Sequence, residues 1–352
     1  ENLQNQQLKL NNVTNKYMEY KDKENELKGN LTKDNVIILL NVAKSAVSEM
    51  LDGKYGDTIK DQSIFRKHAE RFETEFFQDM RALNVRDPDV LTRVTEYVEP
   101  IIKFVEKLIE NGYAYESNGS VYFETNAYIK DNDYPKLDPF KMDNKMLINE
   151  GEGSLKSGFE SEKKSNRDFA LWKKSKNGEP KWDSKWGEGR PGWHIECSVM
   201  ASDVLGDTLD IHTGGEDLKF PHHDNEMAQT CAYYKHKQWV NYWFHAGHLN
   251  IKGLKMSKSL KNFITIRQAL DMCSARQIRL LFLFQSWHGK MNYSDNAIDE
   301  TVKKEHDLIE FFLLINALNR EYNDVVASTD YTPNKMDKDL NNKIMKNEIN
   351  ID

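Results

Sequence analysis

The 352-residue chain holds only three cysteines, Cys197, Cys231 and Cys273, with no C-x-x-C spacing among them. That excludes a disulfide-stapled scaffold and a structural zinc finger, and it fits a reducing compartment. No apolar run approaches the roughly 20 residues that a membrane helix needs. No signal peptide is legible. No H-E-x-x-H string occurs, so a zinc hydrolase of that type lacks its general base. An excess of positive charge is missing too. The 49 Lys and Arg against 56 Asp and Glu give a net charge of −7, which argues against a broadly basic nucleic-acid protein. An acidic chain can still hold a polyanion where its cations cluster locally. The candidate clusters are Lys252 to Lys261, and Lys163, Lys164, Arg167, Lys173, Lys174 and Lys176.

The chain is long enough for two or more domains and a sizeable core. Its richest segment is Lys252-Gly253-Leu254-Lys255-Met256-Ser257-Lys258-Ser259-Leu260-Lys261-Asn262-Phe263, with four lysines and no acidic residue. Ammonium groups on flexible stems can follow charge along a triphosphate. Transition-state charge on a transferred phosphorus group is stabilised by such cations and Mg²⁺. A bare Lys-x-x-Lys would be read as a solvated turn, but the full string points to ATP, with Lys255 and Lys258 as catalytic candidates.

A second constellation is Cys197, His222 and Glu226. The last two are four apart, so on a helix they share a face. Pro221 suits the first turn of that helix. Cys197 would have to fold back to meet them. Zinc accepts this donor set, and three protein ligands leave a position open. Equally, Cys197 can be a small buried hydrophobe and His222-His223 a hydrogen-bonded helix start. Cys231 and Cys273 read as plain buried thiols.

Along the chain, residues 1–56 read as a polar helical insertion, with one amphipathic helix from Val36 to Leu51. In residues 57–165, Asp87-Pro88 is expected to open a helix that Gly112 ends, with Leu91, Val94, Val98, Ile101, Val105 and Leu108 as its apolar stripe. Asn118-Gly119 predicts a hairpin within Tyr113–Glu124. In residues 166–263, Phe169–Trp172 and Leu209–His212 are expected as parallel strands. A helix from Pro221 to about Tyr234 and a strand within Trp239–His248 follow. Residues 264–322 read as helical, and 323–352 as a polar linker or tail.

Three strings, Gly192-Trp193-His194-Ile195-Glu196-Cys197-Ser198, Phe220-Pro221-His222-His223-Asp224-Asn225-Glu226 and Lys255-Met256-Ser257-Lys258-Ser259, occur in the order found in cysteinyl-tRNA synthetase, a class I aminoacyl-tRNA synthetase. The resemblance covers roughly residues 57–316, and stretches such as Met80–Val85 and Pro88–Val94 look like the eukaryotic cytosolic form. It implies an α/β fold, the C-terminal half of a Rossmann-like parallel sheet. A connective-peptide insert precedes that half and a helical stem-contact region follows it. It implies zinc on Cys197, His222 and Glu226, binding the substrate thiolate. Trp193, His194 and His212 would line the cysteine pocket. ATP, with Mg²⁺, would meet Lys255, Met256, Ser257, Lys258, Ser259, Gly215 and Asp217, the last as ribose partner. Thr213 departs from the family's usual glycine.

The implied partners are tRNA(Cys), ATP and L-cysteine, the implied location is the cytoplasm, and no membrane is involved. The family's His-Ile-Gly-His string and its fourth zinc ligand are not in this sequence, so the isolated chain is expected to form no adenylate. Two other readings stand beside this one. A non-catalytic fragment or paralogue would bind tRNA or protein. A cysteine ligase acting on an amine would lack the eukaryotic-type insert.

Overall fold

The computed structural model describes residues 2–29, 32–151, 162–251, 254–256 and 263–328. It forms two compact units, Glu1–Ser294 and Asp295–Asp352.

The first unit opens with helices α1 (Asn2–Leu27), α2 (Lys33–Tyr55) and α3 (Ser63–Ala82). Helix α4 (Val98–Glu110) follows and buries Ile101, Phe104, Val105 and Leu108. It starts about ten residues later than expected from Asp87-Pro88. Asp87 is not a cap, because it is paired with Arg81 (2.6 Å). Arg93 likewise pairs with Glu73 on α3 (2.5 Å). Both pairs tie the 87–93 segment to α3 and its end, and Leu91 is exposed. Pro100 then falls in the first turn of α4, the place where a missing N–H costs nothing. Gly112, at φ +82°, ends the helix as expected.

Strands β1 (Ala114–Ser117) and β2 (Ser120–Phe123) form the predicted hairpin. Asn118 and Gly119 take the positive φ values (52° and 84°) that a tight two-residue turn requires. Short helices α5 (Thr125–Tyr128) and α6 (Lys145–Gly151) come next. Strand β3 (Phe169–Lys174) is buried as its apolar run predicted, but it is not parallel. It pairs antiparallel with β2 and with β4 (Gly189–Pro191). An apolar run shows that both faces are covered. It carries no information on the direction of the neighbours. Helices α4 and α7 (Trp193–Leu205) pack on β3.

The expected parallel character lies further on. Strand β5 (Leu209–Gly215) pairs parallel with β6 (Val240–Ala246), Gly214 standing opposite His245. Helix α8 (Asp224–Tyr234) connects them. This β–α–β unit sends the carboxyl ends of both strands to one edge, where α/β sheets place their ligands. Strands β7 (Leu249–Ile251) and β9 (Met291–Tyr293) are also parallel, and β8 (Leu254–Lys255) runs antiparallel to β7. Helices α9 (Ile266–Met272) and α10 (Ala275–Leu283) lie between them, each opened by a capping box, Thr265 with Gln268 and Ser274 with Gln277.

The second unit consists of α11 (Asp295–Ser328) among its described residues. The expected tail beyond Ser328 lies outside the described residues. No described helix is long and apolar enough to cross a membrane.

One buried carboxylate, just before β3, draws together residues 115, 125 and 165. Asp168 accepts from Tyr115 Oη (2.7 Å), Thr125 N (3.0 Å) and Ser165 N (2.9 Å). Asp168→Ala takes the acceptor from those donors, of which the Thr125 N–H is fully buried. It should lower stability by about 3 kcal/mol, read as a fall in the denaturant midpoint.

Candidate active site and metal-donor cluster

The three expected metal donors come from two helices and a turn. Cys197 sits one turn into α7. His222 lies in the turn Lys219–His223, and Glu226 in the first turn of α8. Helix α8 proper begins three residues later than Pro221, because Phe220 adopts extended backbone (φ −138°, ψ 132°) inside a widened turn. The four-residue spacing nevertheless brings His222 onto Glu226. Packing of α7 on α8 supplies Cys197. The ligand atoms of the three residues lie within 4.8 Å of one another.

Glu226 is completely buried. Its Oε2 accepts from His212 Nε2 at 2.7 Å. Its Oε1 lies 2.8 Å from His222 Nε2 but out of hydrogen-bond geometry, and it has no hydrogen-bond partner. Burial pushes the carboxyl up, yet the two imidazoles outweigh it and hold Glu226 at about 2. It is therefore a carboxylate with one buried oxygen unsatisfied, 2.8 Å from an imidazole nitrogen. Such a pair is costly alone and satisfied by a cation between its members. Burial pushes the Cys197 thiol well up, and the carboxylates of Glu226 and Glu196 add to this. A thiolate there needs a cation, since everything else nearby disfavours it. The donors present thus fit a zinc ion, with sulfur, nitrogen and oxygen ligands.

The residues expected around the substrate occupy three different situations. The Trp193 ring is 46% exposed and stacks on His222 (4.3 Å between centroids). His212 is half-buried, bonded to Glu226 and stacked on Trp243 (4.6 Å). His194 is only 2% exposed, and its Nδ1 is 2.9 Å from His222 Nδ1. It supports His222 from behind. A metal between His222 Nε2 and Glu226 would take the place of a proton there, and the proton on His222 Nδ1 would be shared with His194 Nδ1, the usual arrangement of a ligating histidine and its outer partner.

The structure adds residues that sequence reasoning passed over. His223, Trp243 and His245 join the cluster, with His223 Nδ1 2.9 Å from His245 Nε2. Burial, helped by three neighbouring imidazoles, lowers His223 to about 4 and keeps it neutral. Gly214 makes room for it: a Cβ there would stand 2.5 Å from His223 Cε1 and 2.9 Å from Nε2. Gly214→Ala in the full-length protein should therefore displace His223 and break its pair with His245. A misplacement of about 1 Å can cost on the order of 100-fold in kcat/KM. Gly53→Ala, where nothing lies within 4 Å, should leave kinetics unchanged and serves as the control.

Gly215 ends β5, and Asp217 follows in a single exposed turn. A Cβ on Gly215 would meet Asp217 Oδ1 at 2.5 Å. Lys255 is placed on β8, and Met256 N donates to Leu249 O (2.9 Å). Ser257, Lys258 and Ser259 lie outside the described residues. Part of the second cationic stretch is engaged within the chain. Lys164 pairs with Glu124 (2.8 Å), Arg167 with Asp143 (2.6 Å), and Lys173 is buried on β3. The charges of Lys164 and Arg167 are thus balanced locally.

The family model described as "tRNA synthetases class I (C) catalytic domain" matches residues 10–303, and the chain belongs to that family. It is 60% identical over 245 residues to the cytoplasmic cysteine–tRNA ligase of Dictyostelium discoideum, covering 69% of this chain and 37% of that one. Identity to the corresponding ligase of Gallus gallus is 52% over 294 residues, covering 82% and 39%. For that of Mus musculus it is 50% over 305 residues, covering 86% and 37%. The chain thus spans less than half the length of these relatives.

Proposed function

We propose that the chain is the catalytic body of a cytoplasmic cysteine–tRNA ligase. The observation that carries this is the convergence of Cys197, His222 and Glu226 with one Glu226 oxygen buried and unsatisfied. A donor set of this kind, holding zinc with a position open, suits a thiol. Zinc held by these three residues would bind the substrate's sulfur as a thiolate, which a serine hydroxyl cannot match.

The chain's own groups then have separate tasks. Glu226 keeps its charge because His212 holds one oxygen, and His194 keeps the Nε2 of His222 turned inward. Trp193, stacked on His222 and partly open, forms a wall. Gly214 and Gly215 let His223 and Asp217 pack against the backbone at the end of β5, the edge where such sheets place their ligands. Asp217 receives the ribose of ATP, and Lys255 and Lys258 stabilise charge on the phosphates, with Mg²⁺. The cysteine carboxylate attacks the α-phosphorus, the bond to the bridging oxygen breaks, and pyrophosphate leaves. A terminal hydroxyl of tRNA(Cys) then attacks the acyl carbon and AMP departs.

The test is pyrophosphate exchange by the full-length protein, with metal analysis. Exchange dependent on cysteine and not on serine, charging of tRNA(Cys), and one zinc per site are expected. Exchange supported equally by serine would overturn the reading.

A further inference from the structure

Between the donors His222 and Glu226 stand two residues that face the other way. Asp224 is 2% exposed, and its Oδ1 accepts from the backbone N–H of Lys136 (2.8 Å) and Leu137 (2.9 Å), its Oδ2 from that of Asp138 (3.3 Å). Asn225 is equally buried, and its Oδ1 accepts from Tyr134 Oη (2.5 Å). Beyond the far end of α8, Lys136 Nζ donates to Lys237 O (2.7 Å), and Lys237 Nζ to Asn132 Oδ1 (3.0 Å). The 131–138 segment, some ninety residues upstream, is therefore strapped along the back of the helix that carries Glu226.

The strap has a reason in the backbone. His222 precedes the regular helix, in a turn broken by the extended Phe220. Its position is not set by the helical hydrogen-bond ladder. Asp224, at the helix start, spends none of the bonds above on capping its own helix; they fix the first turn to an outside loop instead.

We propose that Asp224 and Asn225 are positioning residues for the metal-donor turn. By gripping the 134–138 loop on one side, they hold His222 and Glu226 in register with Cys197 on the other. The inference rests on the metal reading above. It adds that the insert, which supplies no donor itself, helps determine zinc affinity.

Two variants of the full-length protein test this, with Zn²⁺ as the probe. Asp224→Asn keeps the shape but turns one acceptor into a donor facing the loop. Tyr134→Phe deletes one O–H from the loop and touches nothing on the metal side. Zinc affinity, from competition with a chromogenic chelator, should fall about 10–100-fold in the first and roughly 5-fold in the second. The KM for cysteine should rise in step, while the KM for ATP and the circular dichroism stay as in the wild type. If Asp224→Asn does not fold, Tyr134→Phe decides. Wild-type zinc affinity in Tyr134→Phe overturns the proposal, as do equal rises in both KM values, which mark a general fold defect. A wild-type protein that binds no zinc would remove the metal reading and this inference together. Zinc present but insensitive to both variants would remove this inference alone.

Discussion

Cys197→Ser in the full-length protein should raise the KM for cysteine by at least about 100-fold and leave ATP binding within a few-fold of wild type. Loss of a partner outside a ligand set already costs 10–100-fold in metal affinity, so loss of a ligand begins at the top of that range. The substitution is nearly isosteric, and Cys197 is only partly buried, so packing changes little. What changes is the donor. Burial, and then the neighbouring Glu226 and Glu196, already disfavour a negative charge at this position. A thiol can still be ionised by a bound cation there, whereas a hydroxyl ionises far less readily. Zinc content should fall with the cysteine KM. Parallel losses of cysteine and ATP affinity would indicate misfolding, and retention of zinc with an unchanged cysteine KM would exclude Cys197 as a ligand.

How much of this was legible in advance differs by element. The hairpin at Asn118-Gly119 and the helix starts at Ser274 and Thr265 are local matters, decided by φ preferences and side-chain caps within four residues. The start of α4 was also local, but Pro100 was the signal to read. Asp87-Pro88 has the look of a helix start, and only the ion pair to Arg81 shows that its carboxylate is engaged elsewhere. The direction of β3 was not legible at all. Buried on both faces, it has the same composition whether its neighbours run with it or against it.

In the site, the 222/226 pair was legible from helical spacing. The arrival of Cys197 depended on how α7 packs on α8, and spacing is silent on that; the resemblance to a known family supplied it. The outer residues were missed for a related reason. His245 and Gly214 are neighbours only through the parallel register of β5 and β6. His223 was visible beside His222, but its task depends on the absent Cβ of Gly214. Asp224 reads in sequence as an acidic residue in a helical first turn. Its hydrogen bonds to residues 136–138 belong to tertiary structure.

Lys258→Ala should slow adenylate formation by roughly 10²–10³-fold, the usual cost of removing one preorganised donor to a transition state. The residues just before this lysine are held by a sheet. Strand β8 lies at the edge of its three-stranded sheet, and the N–H of Met256 is bonded to Leu249 O on β7. The chain is thus held at a sheet edge just before its cationic run, and lysine side chains are point charges on flexible stems. A point charge on such a stem can move with a phosphate whose charge is redistributing, and a guanidinium fork does so less readily. The expected loss is therefore in kcat, with ATP affinity changing less. Zinc content and cysteine affinity should not move, because the proposed donors for the thiol come from α7, α8 and the turn before α8. Cysteine-dependent pyrophosphate exchange in single-turnover conditions separates the two effects. A wild-type rate would take the catalytic role away from Lys258, and a loss confined to cysteine affinity would place its side chain against the amino acid and away from the phosphates.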